Sequence, residues 1–398
     1  MKKLTVDDID VRGKRVLMRV DFNVPLKGGK VADETRIRAA LPTIRKIIGD
    51  GGKLILMSHL GRPKGAPVPD MSLAPCAEAL GRLLGKPVAF AADCVGPAAE
   101  SAAARLAPGE VLLLENLRFH PEEEKNAPGF AGQLAALGEI YVNDAFGTAH
   151  RAHASTEGVT RYFRQSAAGY LMLKELAYLG EALSRAARPY VAVLGGAKIS
   201  GKIDVIANLL PKVDTILIGG GMAFTFLKAK GLEVGGSLIE EDKVELARRL
   251  LADGAGKIIL PVDFLATDTL DVKARTVGVL KEVAATAIPA AWKGVDIGPK
   301  SIAAFRAVLK GAKTVVWNGP MGVFEIDATA RGTLAVGEIM AEITAGGAVT
   351  VIGGGDSAAA VEKAGMADMV SHVSTGGGAS LEFIEGKTLP GVAALSDA

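Results

Sequence analysis

The stretch YVAVLGGAKISGK (Tyr190–Lys202) decides the fold of this chain. Its first five residues are apolar or aromatic, two glycines follow, and two lysines lie four positions apart after them. An uninterrupted apolar run predicts a strand buried on both faces, as in parallel sheets. The glycines predict a tight turn into a helix. Strand, turn and helix in this order are the repeating unit of an α/β fold.

The same pattern recurs in both directions from this stretch. Short β-branched or apolar runs predict further strands at Arg15–Val20, Lys53–Met57, Val111–Leu114, Ile140–Val142, Thr215–Ile218, Lys257–Leu260, Thr314–Trp317, Ala348–Ile352 and Met369–Val373. Helical periodicity lies between them, at Glu34–Ile48, Leu73–Leu84, Lys202–Leu210 and Ser357–Lys363. We therefore predict an α/β protein of two doubly wound parallel-sheet (Rossmann-like) domains.

A chain of 398 residues is too long for one ordinary core and fits two domains. A long helix candidate, Leu171–Arg185, is broken by Ala186–Pro189 before the next strand. We predict an N-terminal domain over 1–170, an interdomain hinge helix over 171–188 and a C-terminal domain over 189–388. From the pattern alone, a plain surface helix is an equally good interpretation of the hinge segment.

Composition and charge exclude several classes of function. The formal net charge of +2 does not favour binding to nucleic acid or to a membrane surface. The acidic residues Asp7 and Asp8 come before any apolar h-region could form, which argues against a signal peptide. The longest charge-free stretches are well short of the ~20 residues that span a bilayer. Two cysteines, Cys76 and Cys94, fit a reducing compartment and are interpreted as small buried hydrophobes, so we predict a cytoplasmic protein.

In the first half, the predicted strands end in polar and basic side chains. Asp21 and Asn23 follow the first strand, where they could bind a hydroxylated ligand or form an Asx-turn. The basic residues at or beside these ends are Arg36, His59, Arg62, Arg118 and Arg151. Several such groups at one sheet edge would repel each other without an anion, so we predict an anionic small-molecule site. A metal site at His150 and His153 is disfavoured because no cysteine lies nearby.

In the second half, the strand ends are rich in glycine. Lys198 and Lys202 follow one of them, without the G-x-x-x-x-G-K-[ST] spacing of a P-loop, and solvated lysines are the alternative interpretation. Gly353–Ser357 and Ser374–Ser380 each lead into a helix, whose first backbone N–H groups form an anion site. Asp356 could hold Mg²⁺ beside nucleotide phosphates, or act as a helix N-cap.

The segment Trp317–Glu325 could line an adenosine pocket, with Glu325 accepting from ribose hydroxyls. A surface turn with a solvated acid is the alternative. A nicotinamide-dependent dehydrogenase would share the fold, but no strand is followed by G-x-G-x-x-G with an acidic residue about 20 positions later.

Nine segments together resemble the phosphoglycerate kinase family. On the acceptor side they are RVDFNVPL (Arg19–Leu26), SHLGRPKG (Ser58–Gly65), LLENLRFHPEEEKN (Leu113–Asn126) and NDAFGTAHRAHAST (Asn143–Thr156). On the nucleotide side they are LGGAKISGKI (Leu194–Ile203), WKGVDIGP (Trp292–Pro299), WNGPMGVFE (Trp317–Glu325), GGGDSA (Gly353–Ala358) and STGGGAS (Ser374–Ser380). They run in the family's order over nearly the whole chain.

This resemblance implies reversible phosphoryl transfer from 1,3-bisphosphoglycerate to ADP, giving 3-phosphoglycerate and ATP, assisted by Mg²⁺ held beside Asp356. It implies that the phosphoglycerate is bound by Asp21, Asn23, Arg36, His59, Arg62, Arg118 and Arg151. It implies that the nucleotide is bound by Lys202, Gly294, Glu325, Gly354, Gly355, Asp356 and Ser357. It also implies a monomer with a hinge, whose C-terminal tail, 389–398, packs back on the first domain.

The acceptor of this reaction is a carboxylate that is already ionised at pH 7, so no general base is required. Catalysis would rest on positioning and charge stabilisation as the hinge closes. We predict that Arg36 and Lys198 grip the transferred phosphoryl oxygens, while the helix starts at Gly355 and Gly378 contribute backbone N–H groups. A catalytically silent nucleotide-binding protein should lack Arg36, Lys198 or Asp356, and all three are present.

Overall fold

The computed structural model describes residues 2–398, apart from the side chains of residues 181–184. The chain forms two compact units. The first contains the residues up to Ala177 together with Thr388–Ala398, and the second is Tyr178–Lys387.

The first unit is built on a six-stranded parallel sheet and a short hairpin. Its strands are β1 (Arg15–Arg19), β2 (Leu26–Lys27), β3 (Lys30–Val31), β4 (Lys53–Met57), β5 (Ala89–Ala91), β6 (Val111–Leu114), β7 (Ile140–Asn143) and β8 (Ser166–Ala168). Its helices are α1 (Thr35–Gly49), α2 (Ala74–Leu84), α3 (Gly96–Ala104) and α4 (Pro128–Ala135), and α5 (Tyr170–Ser184) leads out of the unit. A further short helix, Pro390–Ala393, lies in its C-terminal segment. The sheet order is β5-β6-β4-β1-β7-β8, and β2 and β3 form the hairpin.

The second unit repeats this plan and adds antiparallel strands. Its strands are β9 (Tyr190–Leu194), β10 (Thr215–Ile218), β11 (Ile258–Ile259), β12 (Asp263–Thr267), β13 (Leu270–Asp271), β14 (Thr276–Val277), β15 (Leu280–Ala284), β16 (Lys293–Ile297), β17 (Thr314–Asn318), β18 (Val349–Gly353) and β19 (His372–Val373). Its helices are α6 (Ile203–Leu209), α7 (Met222–Ala229), α8 (Val244–Asp253), α9 (Pro299–Leu309), α10 (Arg331–Ala345), α11 (Gly355–Lys363) and α12 (Gly378–Ile384).

The parallel sheet of the second unit has the order β11-β10-β9-β17-β18-β19. All five residues of β9 are buried, and so are all five of β17. Burial on both faces explains why these strands are apolar runs rather than alternating patterns. The predicted α/β class with two doubly wound parallel sheets is confirmed.

Several parts of the fold differ from the sequence prediction, which also missed the short strands β5 and β8. A three-stranded antiparallel sheet, β15-β12-β16, lies in a segment for which no strand was predicted. The predicted strand Met369–Val373 is shorter, since Ala367–Met369 forms a 3₁₀ turn and only His372–Val373 pairs in the sheet. Met369 is 54% exposed, which a buried strand residue would not be.

The C-terminal residues belong to the first unit. Ser396 N donates to Ser166 O at 2.9 Å, and Leu4 N donates to Ser396 O at 2.9 Å. The buried Lys3 ammonium lies 2.8 Å from both Leu395 O and Asp397 Oδ1. The tail is therefore attached to the edge of the first sheet by backbone hydrogen bonds and by the ion pair between Lys3 and Asp397. Among the described residues, no helix is long and apolar enough to cross a membrane.

The start of α5 is held by the buried carboxyl group of Asp144, which follows β7. Asp144 Oδ1 accepts from Met172 N at 3.1 Å. A side chain at position 169 would not fit, since a Cβ there would lie 2.3 Å from Asp144 Oδ1. Burial raises the pKa of Asp144 to about 7, against smaller lowering effects from hydrogen bonds with Thr43, Met172 and Leu171.

We expect this carboxyl group to make stability depend on pH. The pKa of Asp144 is higher in the folded protein than in the unfolded chain, so the folded state binds the proton more tightly. The contribution of Asp144 to the free energy of unfolding is therefore complete below about pH 4 and falls by up to about 1.4 kcal/mol per pH unit towards pH 7. Asp144→Asn keeps an acceptor for Met172 N but cannot ionise, so its denaturation midpoint should vary less over this range. Urea denaturation between pH 4 and pH 8 checks this, with the exposed Asp10→Asn as control. Parallel profiles for Asp144→Asn and the wild type would contradict it.

Candidate active site

The sequence predicts anionic ligands at the carboxyl edges of both parallel sheets. In the first unit the chain runs from β1 through β4, β5 and β6 on one side, then to β7 and β8 on the other. In an open α/β sheet, ligands bind at the carboxyl edge where the strand order reverses. Here that point lies between β1 and β7.

Asp21, just past β1, organises the groups at this edge. Its Oδ2 lies 2.7 Å from Arg36 Nη1, and its Oδ1 accepts from Asn23 N at 3.3 Å. The Asx-turn considered from the sequence is therefore present, together with an ion pair that orients Arg36. Asn23 Oδ1 in turn accepts from Gly61 N at 2.9 Å, which ties the turn after β1 to the turn after β4.

His59 is buried beside these groups, and its charge state differs from the predicted basic side chain. Burial, followed by the charges of Arg19 and Arg118, lowers the pKa of His59 well below its usual value. Arg19 Nη2 lies 3.2 Å from His59 Nδ1. Because a guanidinium only donates, Nδ1 must be the acceptor and Nε2 carries the proton. His59 is thus a neutral hydrogen-bond donor at neutral pH.

The other predicted arginines lie at neighbouring strand ends. Arg118, after β6, donates from Nη1 to Gly61 O at 2.8 Å, and its Nε lies 3.2 Å from Glu124 Oε1. Burial lowers the pKa of Arg118, Glu124 opposes this, and Arg19 and Arg151 add to it. Arg62 and Arg151 are exposed. The charges of Arg19, Arg118 and Arg151 therefore act on one another, as expected for an anion site.

Sequence reasoning missed Arg19, Glu123 and the true state of His153. Arg19 is fully buried and donates from Nε to Ser155 Oγ at 2.8 Å, while Glu123 Oε2 accepts from Ser155 N at 2.9 Å. Burial lowers the pKa of His153 to about 4, and Arg19 and Arg118 add to that effect. His153 is therefore neutral. The only signal for Arg19 was an arginine inside an otherwise apolar strand.

In the second unit the reversal lies between β9 and β17, and the turns after these strands pack closely. A Cβ at Gly195 would lie 2.1 Å from Pro320 O, and one at Gly319 would lie 2.2 Å from Gly195 O. Side chains at these positions are therefore excluded by the neighbouring backbone. The glycines of both turns therefore allow the two loops to pack closely against each other.

A pocket of about 450 Å³ lies at this edge of the second sheet. Three residues predicted to bind the nucleotide line it: Gly294, Glu325 and Asp356. Its walls also contain Phe224, Phe264, Leu238, Leu270 and Val272. A Cβ at Gly294 would lie 2.1 Å from Phe224 Cζ, so glycine is needed where the ring packs. Apolar walls with a few polar groups are typical of small-molecule sites.

Lys202 lies in a half-buried position at the start of α6 and donates from Nζ to Asn318 Oδ1. Burial lowers the pKa of Lys202 to about 8, while the charges of Asp356 and Glu385 oppose the shift. The interpretation of Lys202 as a solvated lysine is therefore wrong. Asn318, at the end of β17, was not predicted, although its position at a strand end was the available signal.

The remaining predicted residues differ in exposure. Lys198 is exposed, and Gly354 has a φ of +88° immediately before α11. Asp356 is the second residue of α11, whose N-cap is Gly354, so the alternative that Asp356 is the N-cap is wrong. The Ser357 hydroxyl is buried and accepts from Gly319 N at 2.7 Å. Gly355 and Gly378 are the first residues of α11 and α12.

The sequence of this chain matches one protein-family model over nearly its whole length. A family model described as phosphoglycerate kinase matches residues 6–387. The chain belongs to the phosphoglycerate kinase family. The phosphoglycerate kinases of Chloroherpeton thalassium and Chlorobium limicola are each 61% identical to it over 401 residues, covering 100% of both chains.

Solved phosphoglycerate kinase structures are similar over nearly the whole chain. The structure from Coxiella burnetii superposes with a TM-score of 0.87 at 40% identity, and the one from Pyrococcus horikoshii with 0.85 at 34%. Each comparison covers 98% of this chain and 98% of the other. Membership of the phosphoglycerate kinase family confirms the predicted enzyme class, a phosphotransferase with a carboxyl group as acceptor. It also implies small-molecule substrates, one of them a nucleotide.

If Lys202 binds the nucleotide, as the sequence predicts, its lowered pKa should make ADP binding depend on pH. Lys202 is protonated below about pH 8 and loses its charge above it. We therefore expect the ADP affinity to fall above that pH, towards ~10-fold per pH unit. Calorimetric titration of ADP between pH 7 and pH 10 checks this. The Lys202→Met variant should bind ADP weakly, and its ADP affinity should depend less on pH. If its ADP affinity fell above pH 8 as in the wild type, Lys202 would not be the group responsible.

Proposed function

We propose that this chain transfers a phosphoryl group between 1,3-bisphosphoglycerate and ADP, giving 3-phosphoglycerate and ATP in the presence of Mg²⁺. The observation that carries the proposal is the pocket at the β9/β17 edge, which brings Gly294, Glu325 and Asp356 together. It supports a nucleotide site in the second unit. The arginine-rich edge of the first unit supports a separate site for an acid that carries a carboxylate and a phosphate group.

In the first unit, the proposed phosphoglycerate site combines hydrogen-bonded and exposed arginines. Arg36 is oriented by Asp21 at 2.7 Å, and Arg118 by Gly61 O at 2.8 Å. Arg62 and Arg151 are exposed, and Arg151 Nε donates to His150 Nε2 at 3.2 Å. Both guanidinium groups would be accessible to a ligand phosphate. His59 adds a neutral Nε2–H donor, and Asp21 and Asn23 offer oxygens to the substrate hydroxyl. Guanidinium forks suit both the carboxylate and the phosphate ends of such a ligand.

The reaction needs no general base, and the histidines of this edge fit that requirement. The accepting carboxylate of 3-phosphoglycerate is ionised at pH 7. His59 and His153 both have a lowered pKa, so at neutral pH they are uncharged and are weak proton acceptors. The work left for the protein is to position the ligands and to stabilise charge on the transferred phosphoryl oxygens. Arg36, Lys198 and the backbone N–H groups of Gly355 and Gly378 would stabilise the charge on these oxygens.

In the second unit, the residues present fit a magnesium nucleotide. Mg²⁺ prefers oxygen ligands and is usually held by one or two carboxylates together with substrate phosphates. The Asp356 carboxylate lies in the first turn of α11 and lines the pocket. When bound there, Mg²⁺ would neutralise phosphate charge. Lys202 would bind phosphate oxygens, Glu325 the ribose, and Gly354, Gly355 and Ser357 would form the backbone turn around the phosphates.

The domain roles follow from these two sites. We infer a phosphoglycerate-binding domain near 1–170 with the tail 389–398, and a nucleotide-binding domain near 189–388. The helix that joins them, predicted over 171–188, would be the hinge, and its closure stays a prediction. We further propose a monomeric cytoplasmic enzyme that binds neither nucleic acid nor membranes.

A coupled assay of ATP formation from 1,3-bisphosphoglycerate and ADP tests the proposal. We expect ATP to form only when both substrates and Mg²⁺ are present. Asp356→Asn should need a higher Mg²⁺ concentration, whereas the exposed Asp368→Asn, outside the pocket, should behave as the wild type. If the folded wild-type protein binds ADP but forms no ATP, it is a silent nucleotide-binding protein and the proposal is wrong.

A further inference from the structure

A second group of chemically active side chains lies in the first unit, outside the residues proposed for substrate binding. Strands β5 and β6 are parallel neighbours, so the turns that follow them lie at one sheet edge. Asp93 and Cys94 follow β5, and His120 follows the 3₁₀ turn after β6. Among the residues that the structure describes, one potential ligand atom from each of these three lies within 4.8 Å of the other two.

The contacts within this group hold a thiol, an imidazole and a carboxylate together. His120 Nε2 lies 2.7 Å from Asp93 Oδ1, which also accepts from Cys94 N at 2.7 Å. Cys94 is fully buried, whereas the side chains of Asp93 and His120 are 46% and 29% exposed. The sulfur is therefore on the inner side of the group, and the oxygen and nitrogen ligands face solvent. The Asp93 and His120 side chains can therefore meet an ion from solvent, with the Cys94 sulfur behind them.

We propose that Asp93, Cys94 and His120 bind a thiophilic divalent transition-metal ion such as Zn²⁺. Thiolate, imidazole and carboxylate are all ligands of Zn²⁺, whereas Mg²⁺ and Ca²⁺ select oxygen. On binding, the Cys94 thiol releases one proton to solvent and the sulfur forms a bond to the metal. The thiolate and carboxylate then balance the two positive charges of the ion. Three protein ligands leave the fourth tetrahedral position to water.

Spectroscopic titration with Co²⁺, used as a probe for Zn²⁺, tests this site. Saturating Mg²⁺ and a reductant without thiols are present throughout. We expect one equivalent of Co²⁺ to produce a thiolate-to-cobalt charge-transfer band in the near ultraviolet, and Zn²⁺ to abolish it. Asp93→Asn and His120→Gln should weaken binding by ~10-fold or more.

The two cysteines provide a matched pair of variants. Cys94→Ser should abolish the band, while Cys76→Ser should keep it, because Cys76 is buried in α2 and is not part of this group. No band in the wild type, or a band that survives in Cys94→Ser, would overturn the site. If Cys94→Ser does not fold, as circular dichroism would reveal, His120→Gln decides, because its side chain is partly exposed. Wild-type affinity in a folded His120→Gln would also overturn the proposal.

Discussion

Replacing Arg36 by alanine is expected to lower kcat by ~10²–10³-fold while the affinity for ADP stays near that of the wild type. Arg36 opens α1 and is held by Asp21 at 2.7 Å, so its guanidinium is positioned before any ligand arrives. Its removal leaves the charge on the transferred phosphoryl oxygens without one of its donors. The nucleotide pocket is lined by residues of the second unit, which explains why ADP binding should survive.

Arg38 is the matched control for this experiment. It lies two residues further along α1, is 60% exposed in its side chain, and pairs with Glu34 at 2.7 Å. Arg38→Ala should therefore leave kcat within about twofold, since an exposed pair of this kind contributes little. Steady-state kinetics in the direction of ATP formation would measure both variants. A kcat for Arg36→Ala within a few fold of the wild type would show that Arg36 does not have this role.

Replacing Lys198 by alanine should be the second large loss, with kcat reduced by ~10²-fold or more. Lys198 lies between the glycine turn after β9 and the 3₁₀ turn Ile199–Gly201, and its side chain is exposed. A flexible ammonium at this position can follow the phosphoryl group between donor and acceptor. It should act more in the transition state than in nucleotide binding, so KM for ADP should change much less than kcat.

Two further lysine variants make the Lys198 test specific. Lys230→Ala removes an exposed ammonium from the end of α7 and should have no effect on kcat. Lys198→Arg keeps the charge but changes its shape, so it should recover part of the lost activity. Equal losses of kcat/KM and of ADP affinity in Lys198→Ala would instead assign the residue to ground-state binding.

The parallel sheets could be predicted from the sequence because their strands are continuous apolar runs with glycine or polar residues after them. The three residues of β5 and of β8 are too few to establish a pattern. The antiparallel strand β15, LKEVA, has exposed charged residues at its centre and buries only Val283. Its pairing with β12 is a tertiary interaction that local periodicity does not encode.

The candidate site was predictable to the extent that parallel strands deliver their following residues to one edge. This rule is the reason that Asp21, His59 and Arg118 could be grouped from the sequence. It does not reveal charge states, which depend on burial. The neutral state of His59 and the lowered pKa of Lys202 both arise from desolvation, and a single sequence does not give the exposure of a side chain.

Arg19 illustrates the remaining difficulty. Its partner Ser155 lies 136 positions later in the chain, and the buried Glu123 completes the network through the Ser155 hydroxyl at 2.5 Å. Only the three-dimensional fold brings these residues together. A charged residue inside an apolar strand therefore indicates a buried polar partner, but the sequence does not identify that partner.

The central claim is that each unit holds its own anionic substrate, and paired calorimetric titrations test it most directly. 3-Phosphoglycerate and ADP would each be titrated into the wild type, Arg118→Ala and Lys202→Ala. We predict that Arg118→Ala weakens 3-phosphoglycerate binding by ~10-fold or more and leaves ADP binding unchanged, with the reverse for Lys202→Ala. If both variants weakened the same ligand, or if neither weakened its own, the assignment of the two substrates to the two units would be wrong.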